Sequence, residues 1–318
     1  MQLSLIVPTY RRPSDLKRTL ESVALQESPL DQIVVVIGPG DKESHQVCED
    51  RKDKLPALTI VHAEKPSVIH ALNLGLKTAK GDIICLTDDD VWFPADWSKK
   101  VRQAYASDDS LGAYGGQDRI QYEKKTDISN PPPSKYVGTF KWNGSLVGNH
   151  HCGVQVSPSN VDVLKGVNLS FRRSAFPLLQ IDSALENRGA EPAFEIDICL
   201  GIKKAGYNVV YDNDNHLLHF GSPRQGDDIR EDLFSPTSSL RIFNDAYVRA
   251  KFRPVSEMIF FIFSSFLIGS RFQPGIAWSA FHLGKQGVKA IILPYRKFKY
   301  LWKGTVNGWS ARGGIQYK

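Results

Sequence analysis

Gly81-Asp82-Ile83-Ile84-Cys85-Leu86-Thr87-Asp88-Asp89-Asp90 is the stretch on which the fold turns. Ile83 to Leu86 is an unbroken apolar run, bounded by Gly81-Asp82 before it and by adjacent carboxylates after it. Its length and flanks predict a short strand, buried on both faces, that delivers acids to its C-terminal end. In open α/β sheets that end is where ligands bind. Adjacent carboxylates repel one another unless solvent or a cation screens them, and hard divalent cations take oxygen ligands. A plain solvated acidic turn is the other reading of the triplet by itself.

Upstream of this strand the chain alternates between two periods. Leu3-Ser4-Leu5-Ile6-Val7 is an expected strand ended by Pro8-Thr9. Arg12-Pro13-Ser14 opens a helix with Ser14 as the expected N-cap, and Leu16, Leu20, Val23 and Ala24 recur on one helical face. Ile33 to Ile37 and Leu58 to Val61 are expected strands, and Val68 to Ala79 an expected helix. This β-α-β-α order predicts a mainly parallel sheet covered by helices on both faces. No G-x-G-x-x-G follows the first strand and no G-x-x-x-x-G-K-[ST] occurs, which disfavours a dinucleotide fold and a P-loop enzyme.

Downstream, Asp96 to Ala106 is an expected helix and Ser129 to Ser134, with Pro131-Pro132-Pro133, an expected loop. Val137 to Val156, rich in Gly, Asn, His and aromatics, predicts irregular structure around a site. Lys165 to Arg173 is expected to run from a strand into a helix. Glu195 to Ala205 is an expected helix closed by Gly206 at C′. Tyr207 to Tyr211 is an expected strand, followed by an acidic turn and His216-Leu217-Leu218-His219.

The composition bounds the class. The 318 residues, 42% apolar and 23% charged, suit an ordinary globular protein. The four cysteines, Cys48, Cys85, Cys152 and Cys199, match no zinc spacing, and Cys85 inside the proposed strand is expected to be a reduced, buried thiol. The chain opens directly on a strand, without a basic n-region or cleavage site, so no secretory signal is expected.

The net charge of +6 hides an asymmetry. Residues 229 to 318 hold 14 Lys/Arg against 4 Asp/Glu, whereas the preceding 228 hold 26 against 30. A basic tail seeks an anionic surface, phospholipid or nucleic acid. Met258-Ile259-Phe260-Phe261-Ile262-Phe263 and Phe266-Leu267-Ile268 make an apolar block too short to span a bilayer, which needs about 20 apolar residues. With Trp278, Trp302, Trp309 and many lysines around it, the block suits a membrane interface, and Phe260, Phe261, Phe263 and Phe266 are the expected contacts. A core helix packing back on the N-terminal domain is the other reading. The apolar block is atypical of a DNA-binding face, so nucleic acid is not an expected partner.

Taken together, the segments resemble the family 2 glycosyltransferases, inverting enzymes of the GT-A fold. The opening strand running into Pro8-Thr9-Tyr10-Arg11 resembles the family's nucleotide-binding start. Asp88-Asp89-Asp90 resembles its D-x-D motif, and Gly166-Val167-Asn168 with Phe171-Arg172-Arg173 its G-x-N…F-R-R acceptor-side segment. Glu195-Ile196-Asp197 through Lys203-Lys204-Ala205-Gly206-Tyr207 resembles its E-D-x-D…G-[YF] helix, and His219 its late histidine near the metal. The resemblance covers residues 1 to about 225. It departs at the end of the second strand, where the family's base-reading Asp is replaced by Ile37-Gly38-Pro39-Gly40 and the nearest acid is Asp41. It also departs at the E-D pair, which here is Phe194-Glu195.

The resemblance implies a GT-A catalytic domain over residues 1–228, with a nucleotide-sugar half (1–115) and an acceptor half (116–228), while the charge and apolar block of residues 229–318 predict a basic, amphipathic helical membrane-interface region. It implies Mn²⁺ or Mg²⁺ held by Asp90 and His219, with a buried histidine beside Phe220 as the alternative for the latter. Asp88 would lie near the ribose, and Asp89 is either a turn residue or a sugar contact. Pro8, Thr9, Tyr10, Arg11 and Asp41 would line the donor site. Glu195 would be the base, with Asp197 in reserve. Trp142, Asn168, Arg172 and Arg173 would meet donor or acceptor sugar, and His150-His151 phosphate or sugar unless they are surface residues. The implied reaction is transfer from a nucleotide-diphosphate sugar to a sugar or lipid-linked hydroxyl in polysaccharide, glycan or glycolipid synthesis, at the cytoplasmic face of the cell membrane. A sugar-nucleotide nucleotidyltransferase is the alternative, though its glycine-rich, lysine-bearing N-terminal loop is replaced by Pro8-Thr9-Tyr10-Arg11-Arg12.

Overall fold

The computed structural model describes residues 1–121, 131–185, 191–222, 235–271, 273–287 and 289–312. The N-terminal part runs β1 (Leu3–Thr9), α1 (Pro13–Ala24), β2 (Gln32–Ile37), α2 (Lys42–Glu49), β3 (Leu58–His62), α3 (Val68–Thr78), β4 (Ile83–Leu86), β5 (Val91–Trp92), α4 (Trp97–Ser107) and β6 (Leu111–Ile120). Then come the short β7 (Thr139–Phe140), β8 (Leu146–Val147) and β9 (Ser159–Asn160), β10 (Leu169–Arg172), α5 (Phe194–Lys204) and β11 (Asn208–His219). Five helices follow: α6 (Pro236–Phe252), α7 (Val255–Leu267), α8 (Ile276–Phe281), α9 (Leu283–Gln286) and α10 (Lys289–Ala311).

The main sheet has the order β3-β2-β1-β4-β10-β6-β11-β5, with β9 added along β11. β3, β2, β1 and β4 are mutually parallel, as are β6 and β11, while β10 runs antiparallel between β4 and β6. The apolar runs of the inner strands follow from this, since helices cover both faces and each strand alternates between two cores. Ile6, Val34, Val36, Ile84 and Leu86 face one core with α3 and α5. Leu5, Val7, Ile33, Val35 and Cys85 face the other, with α1 and α4.

Most expected elements form with boundary shifts of a residue or two. The strand expected from Tyr207 to Tyr211, however, runs on through the acidic segment to His219 as one bulged strand. The strand expected from Lys165 begins only at Leu169, after a 3₁₀ turn over Gly166–Asn168. Ser14 is not the cap of α1: the helix starts at Pro13, whose fixed φ suits the first turn, and Arg12 is the N-cap. After Arg172 the chain makes a single 3₁₀ turn, Arg173–Ala175, rather than a helix. Gly206 adopts φ +91 just past α5, the left-handed position expected of a C′ glycine. Cys48, Cys85 and Cys199 are buried free thiols. The boundary expected between residues 228 and 229 lies outside the described residues, as do residues 129 and 130 of the proline loop. The first core does not end at that boundary, because Tyr247 and Val248 of α6 are buried within it. A smaller core of Ile242, Ala246, Met258, Phe261, Ile262 and Leu301 joins α6, α7 and α10. Among the described residues no helix is long and apolar enough to cross a membrane.

Candidate active site

The acids lie at the carboxyl edge of the sheet, on the turn between β4 and β5. Thr19 Oγ1 of α1 donates at 2.7 Å to the Asp89 carbonyl, and Thr87 Oγ1 donates at 2.9 Å to the Val167 carbonyl, so the turn is held from both sides. β5 pairs antiparallel with the end of β11, matching Val91 with His219. That register brings a histidine distant in sequence next to Asp90. Asp88, Asp90 and His219 each offer a ligand atom, all within 4.8 Å of one another. His219 Nε2 stands 3.4 Å from Asp90 Oδ1 and 3.9 Å from Asp88 Oδ2.

Arg12 divides the labour among the acids. Its Nη2 donates to Asp90 Oδ2 at 2.7 Å, where the Ser222 amide also donates at 2.9 Å. Asp90 Oδ1 is buried with no hydrogen-bond partner, turned toward His219. Both oxygens of Asp89 are engaged, Oδ1 by Arg12 Nη1 at 2.6 Å and Oδ2 by Thr9 Oγ1 at 2.8 Å. Asp89 thus serves as an anchor for the turn. Burial lifts its carboxyl to about 7 against the pull of Arg12.

The donor set fits a divalent cation. An orphaned buried carboxylate oxygen is an anomaly that a bound ion removes, and carboxylates with an imidazole suit Mg²⁺ or Mn²⁺. Burial opposes charge on His219, but Asp118, Asp90 and Asp88 outweigh it and hold the imidazolium up to about 9. Burial likewise opposes charge on Asp90, yet His219 and Arg12 hold its carboxyl far below the usual range. The local field therefore calls for positive charge. His219 Nδ1 faces Asp118 Oδ2 at 3.7 Å, and Asp118, fully buried, is ion-paired with Lys165. A carboxylate behind a ligating histidine fixes its orientation.

Beside the acids a pocket opens between the ends of β1, β2 and β3. Pro8, Thr9, Tyr10, Arg12, Gly38, Pro66, Val68 and Asp88 are among its walls. The Tyr10 side chain packs against Gly38, where a Cβ would collide with it. Asp41 is not on this wall. It caps α2, accepting from the Ser44 amide at 3.1 Å and from the Arg11 amide at 2.5 Å. Arg11, at φ +55, stacks its guanidinium over Tyr10 and leaves the pocket to Arg12.

A second cavity, about 670 Å³, is walled by the start of α5, the β7–β8 hairpin region and the C-terminal helices. Glu195, in the first turn of α5, lines it together with His150, Lys165, Arg241, Arg249 and Phe261. The side chain is partly exposed, but its Oε2 is buried and unpartnered. Burial raises its pKa, and the charge of Asp88 adds to that rise. Phe194 packs its ring on Gly166, where any Cβ would strike it, and Ala193 turns the chain into α5 at φ +79. Asp197 sits on the other side of the helix. Its Oδ1 accepts from Lys251 Nζ at 2.8 Å and its Oδ2 from the Asp182 amide at 3.2 Å. Both of its oxygens are thereby engaged.

The remaining expected contacts take structural or outlying positions, except His150, which also lines the Glu195 cavity. Asn168 is buried, its Oδ1 accepting from Trp97 Nε1 at 3.1 Å and its Nδ2 donating to the Asn215 carbonyl at 2.6 Å. Arg172 and Arg173 lie where β10 pairs with Ile83, at the end of β4 opposite the acids, and both bond backbone carbonyls there. Trp142 is 82% exposed and meets the Phe260 ring edge-on. His150 is buried against the Val163 carbonyl at 2.9 Å and His151 is only partly covered. Arg12, Asp118 and Lys251 were not singled out from sequence. Only Arg12 carried a local signal, as the second of two adjacent arginines beside a recognised motif.

A mixed, mainly parallel sheet of this order, with an Asp-Asp-His cluster at its carboxyl edge, defines the GT-A architecture. Residues 4–164 match the model of Glycosyl transferase family 2, so the chain belongs to that family. An uncharacterized glycosyltransferase of Haemophilus influenzae is 30% identical over 101 residues, 32% of this chain and 33% of that protein. The uncharacterized glycosyltransferase YwdF of Bacillus subtilis is 29% identical over 136 residues, 42% of this chain and 49% of its own length. The chain thus spans a third to a half of these curated relatives. Among solved structures, the mannosyltransferase PcManGT of Pyrobaculum calidifontis, in complex with GDP-Man and Mn²⁺, aligns with a TM-score of 0.60 at 20% identity. The alignment covers 97% of this chain and 87% of that one. GalNAc-T7 with UDP, GalNAc and Mn²⁺ gives 0.64 at 15% identity, over 94% and 54% of the two chains. These likenesses establish the fold.

Proposed function

We propose that this protein transfers a glycosyl group from a nucleoside-diphosphate sugar to an acceptor hydroxyl with inversion, in a divalent-metal-dependent reaction. The observation that carries this reading is the placement of two buried carboxylate oxygens that accept no hydrogen bond. Asp90 Oδ1 belongs to the Asp-Asp-His cluster, and Glu195 Oε2 sits beside a separate cavity. The solved neighbours bound to GDP-Man or UDP with Mn²⁺ support the donor class.

Asp88, Asp90 and His219 would hold the cation. When bound, it supplies Lewis-acid neutralisation of the departing diphosphate. Arg12 keeps Asp90 Oδ2 occupied, so that Oδ1 stays turned inward. Tyr10, Gly38 and Val68 enclose the nucleoside end of the donor. Glu195 accepts the acceptor hydroxyl's proton as the new oxygen–carbon bond forms on the face opposite the leaving group. The carbon–oxygen bond to the diphosphate breaks in the same step and takes the bonding pair with it, which inverts the anomeric centre. A raised pKa suits Glu195 to this work, because a base poised nearer neutrality accepts a proton more readily.

The test is a screen of nucleotide sugars, scored by thermal shift and by donor hydrolysis, with and without Mn²⁺. A stabilising donor whose effect requires the metal is expected. A panel in which no nucleotide sugar shifts the melting point, with or without metal, overturns the reading.

A further inference from the structure

The C-terminal helices present two opposite surfaces. One side of α7 faces the protein, with Met258, Phe261, Ile262 and Ser265 buried. The other carries Ile259, Phe260, Phe263 and Leu267, spaced along a single stripe, with Phe260 57% and Phe263 61% exposed. Phe261, expected at the interface, instead points inward under the Arg249 guanidinium, 4.4 Å from its ring centroid. The stripe does not end with α7. At one end of α7 Trp142 touches Phe260, and at the other Phe266 touches Tyr295 and Phe298, which stacks on Trp302, so ring contacts tie α7 both to the β7–β8 region and to α10. Phe281, at the end of α8, is 87% exposed. A lone exposed aromatic is ordinary, whereas a continuous set of them on adjoining helices marks a contact surface.

Charge selects the partner. After Glu257 the sequence has nine Lys/Arg and not one Asp or Glu. Arg296, Lys299 and Lys303 are exposed on the same helix as Tyr295 and Trp302. A second copy of this face would bring like charges together, and a neutral apolar partner would leave the basic residues without complement. An anionic lipid surface meets both needs, with headgroups for the basic side chains and acyl chains for the aromatics. Since no described helix spans a bilayer, contact is with one leaflet.

We infer that the face bearing Phe260, Phe263, Leu267, Phe281, Tyr295 and Trp302 seats this protein on an anionic lipid bilayer. The seat also bears on the acceptor, a step that rests on the transferase reading. Ile268 is 64% exposed at the end of the stripe and also lines the Glu195 cavity, with Ser264, Ser265 and Gly269 of the same segment. The cavity therefore opens at the edge of the docking face. A hydroxyl carried on a lipid enters there without leaving the bilayer surface.

Flotation of the full chain with vesicles tests the docking without reference to catalysis. Phosphatidylcholine vesicles are compared with vesicles also containing phosphatidylglycerol, at low and at high salt. The protein is expected to float with the anionic vesicles at low salt and to detach only partly at high salt. Lys299→Glu with Lys303→Glu should lower partitioning about 25-fold at low salt, about fivefold for each basic contact removed. Phe260→Ser with Phe263→Ser should lower it about tenfold or more at either salt. The four positions are exposed, so both variants should keep the wild-type thermal transition. A full chain that stays in the supernatant with anionic vesicles overturns the inference, as does a Phe260→Ser, Phe263→Ser variant that floats like wild type. So does a dimer in sedimentation velocity that the same phenylalanine variant dissociates, because the face then belongs to a second copy. Loss of transferase activity with flotation intact would reject the function alone.

Discussion

Lys251 Nζ, on α6, lies 2.8 Å from Asp197 Oδ1, on α5, and 2.9 Å from Asp182 Oδ2. The ammonium is 5% exposed, and although burial disfavours its charge, Asp197 and Asp182 hold its pKa up. This pairing decides which acid of the Glu195-Ile196-Asp197 segment is available for chemistry. Asp197→Asn is expected to destabilise the protein by about 1–3 kcal/mol, because it leaves a buried ammonium with one partner fewer. Residual activity per folded molecule should stay close to wild type. A melting curve paired with an active-fraction titration separates the two effects, and an Asp197→Asn protein that is stable but inert would transfer the base to Asp197.

Glu195 should behave in the opposite way. Glu195→Gln keeps the shape and removes the base, so transfer should fall by roughly 10²-fold or more while nucleotide-sugar binding persists. Stability should rise. Burial places the folded-state pKa above that of the unfolded chain, so the folded state binds the proton more tightly. The resulting stability is present below the unfolded pKa and is lost as pH climbs through the folded one. The glutamine variant should therefore melt above wild type at neutral pH, and the gap should close on acidification. Wild-type kcat/KM should rise along a limb lying above the ordinary glutamate range. Melting temperatures and kcat/KM measured across pH check both statements.

Metal binding should depend on Asp90 and His219 together. Asp90→Asn is expected to cut turnover by orders of magnitude with the fold intact, and His219→Ala to weaken Mn²⁺ affinity measured by calorimetry. Full activity in chelator, or unchanged Mn²⁺ affinity in both variants, would rule out the cluster as a metal site.

Arg12 touches both anchored acids and so should act through them. Arg12→Gln should weaken Mn²⁺ binding about 10- to 100-fold, the range seen when a partner of a metal ligand is lost. Arg12→Lys should recover little, since an ammonium cannot bridge Asp89 and Asp90 as the planar fork does. Calorimetric Mn²⁺ titration of the unliganded protein gives the readout, and wild-type affinity in Arg12→Gln would remove the arginine from this role.

The N-terminal half was legible in the sequence because parallel strands buried on both faces are written as apolar runs: β4 has no polar residue, β2 only Gln32 at its start, and β1 only Ser4 before Pro8. The antiparallel half was less so. β6 contains Gly112, Gly115 and Gly116, a composition that argues against a strand. Those glycines are there because a Cβ at 115 would meet the Asn168 carbonyl, and one at 116 those of Asp212 and Asn215. Asp118, at the far end of that strand, was lost with it. α2 gives no periodic signal, because its face buries only Ser44 and Cys48. Arg172 and Arg173 fit a motif on paper, but β10 runs antiparallel to β4 and carries them away from the acids. Strand direction is a tertiary property, and no local pattern encodes it.

The family match ends at residue 164, whereas the Glu195 cavity is walled largely by residues beyond it, from α5, α6 and α7. Inheritance of the two halves can therefore proceed at different rates. The donor edge is framed by inner strands whose substitution disturbs two cores at once. The wall proposed to receive the acceptor is drawn instead from helices outside the sheet, facing the smaller C-terminal core and solvent as well as the sheet core. A lineage that diversified its acceptors would change Arg241, Asp245, Ser264 or Gln273 and leave the nucleotide end untouched. Chimeras joined within residues 165–185 would be the natural way to exchange one chemistry of acceptance for another.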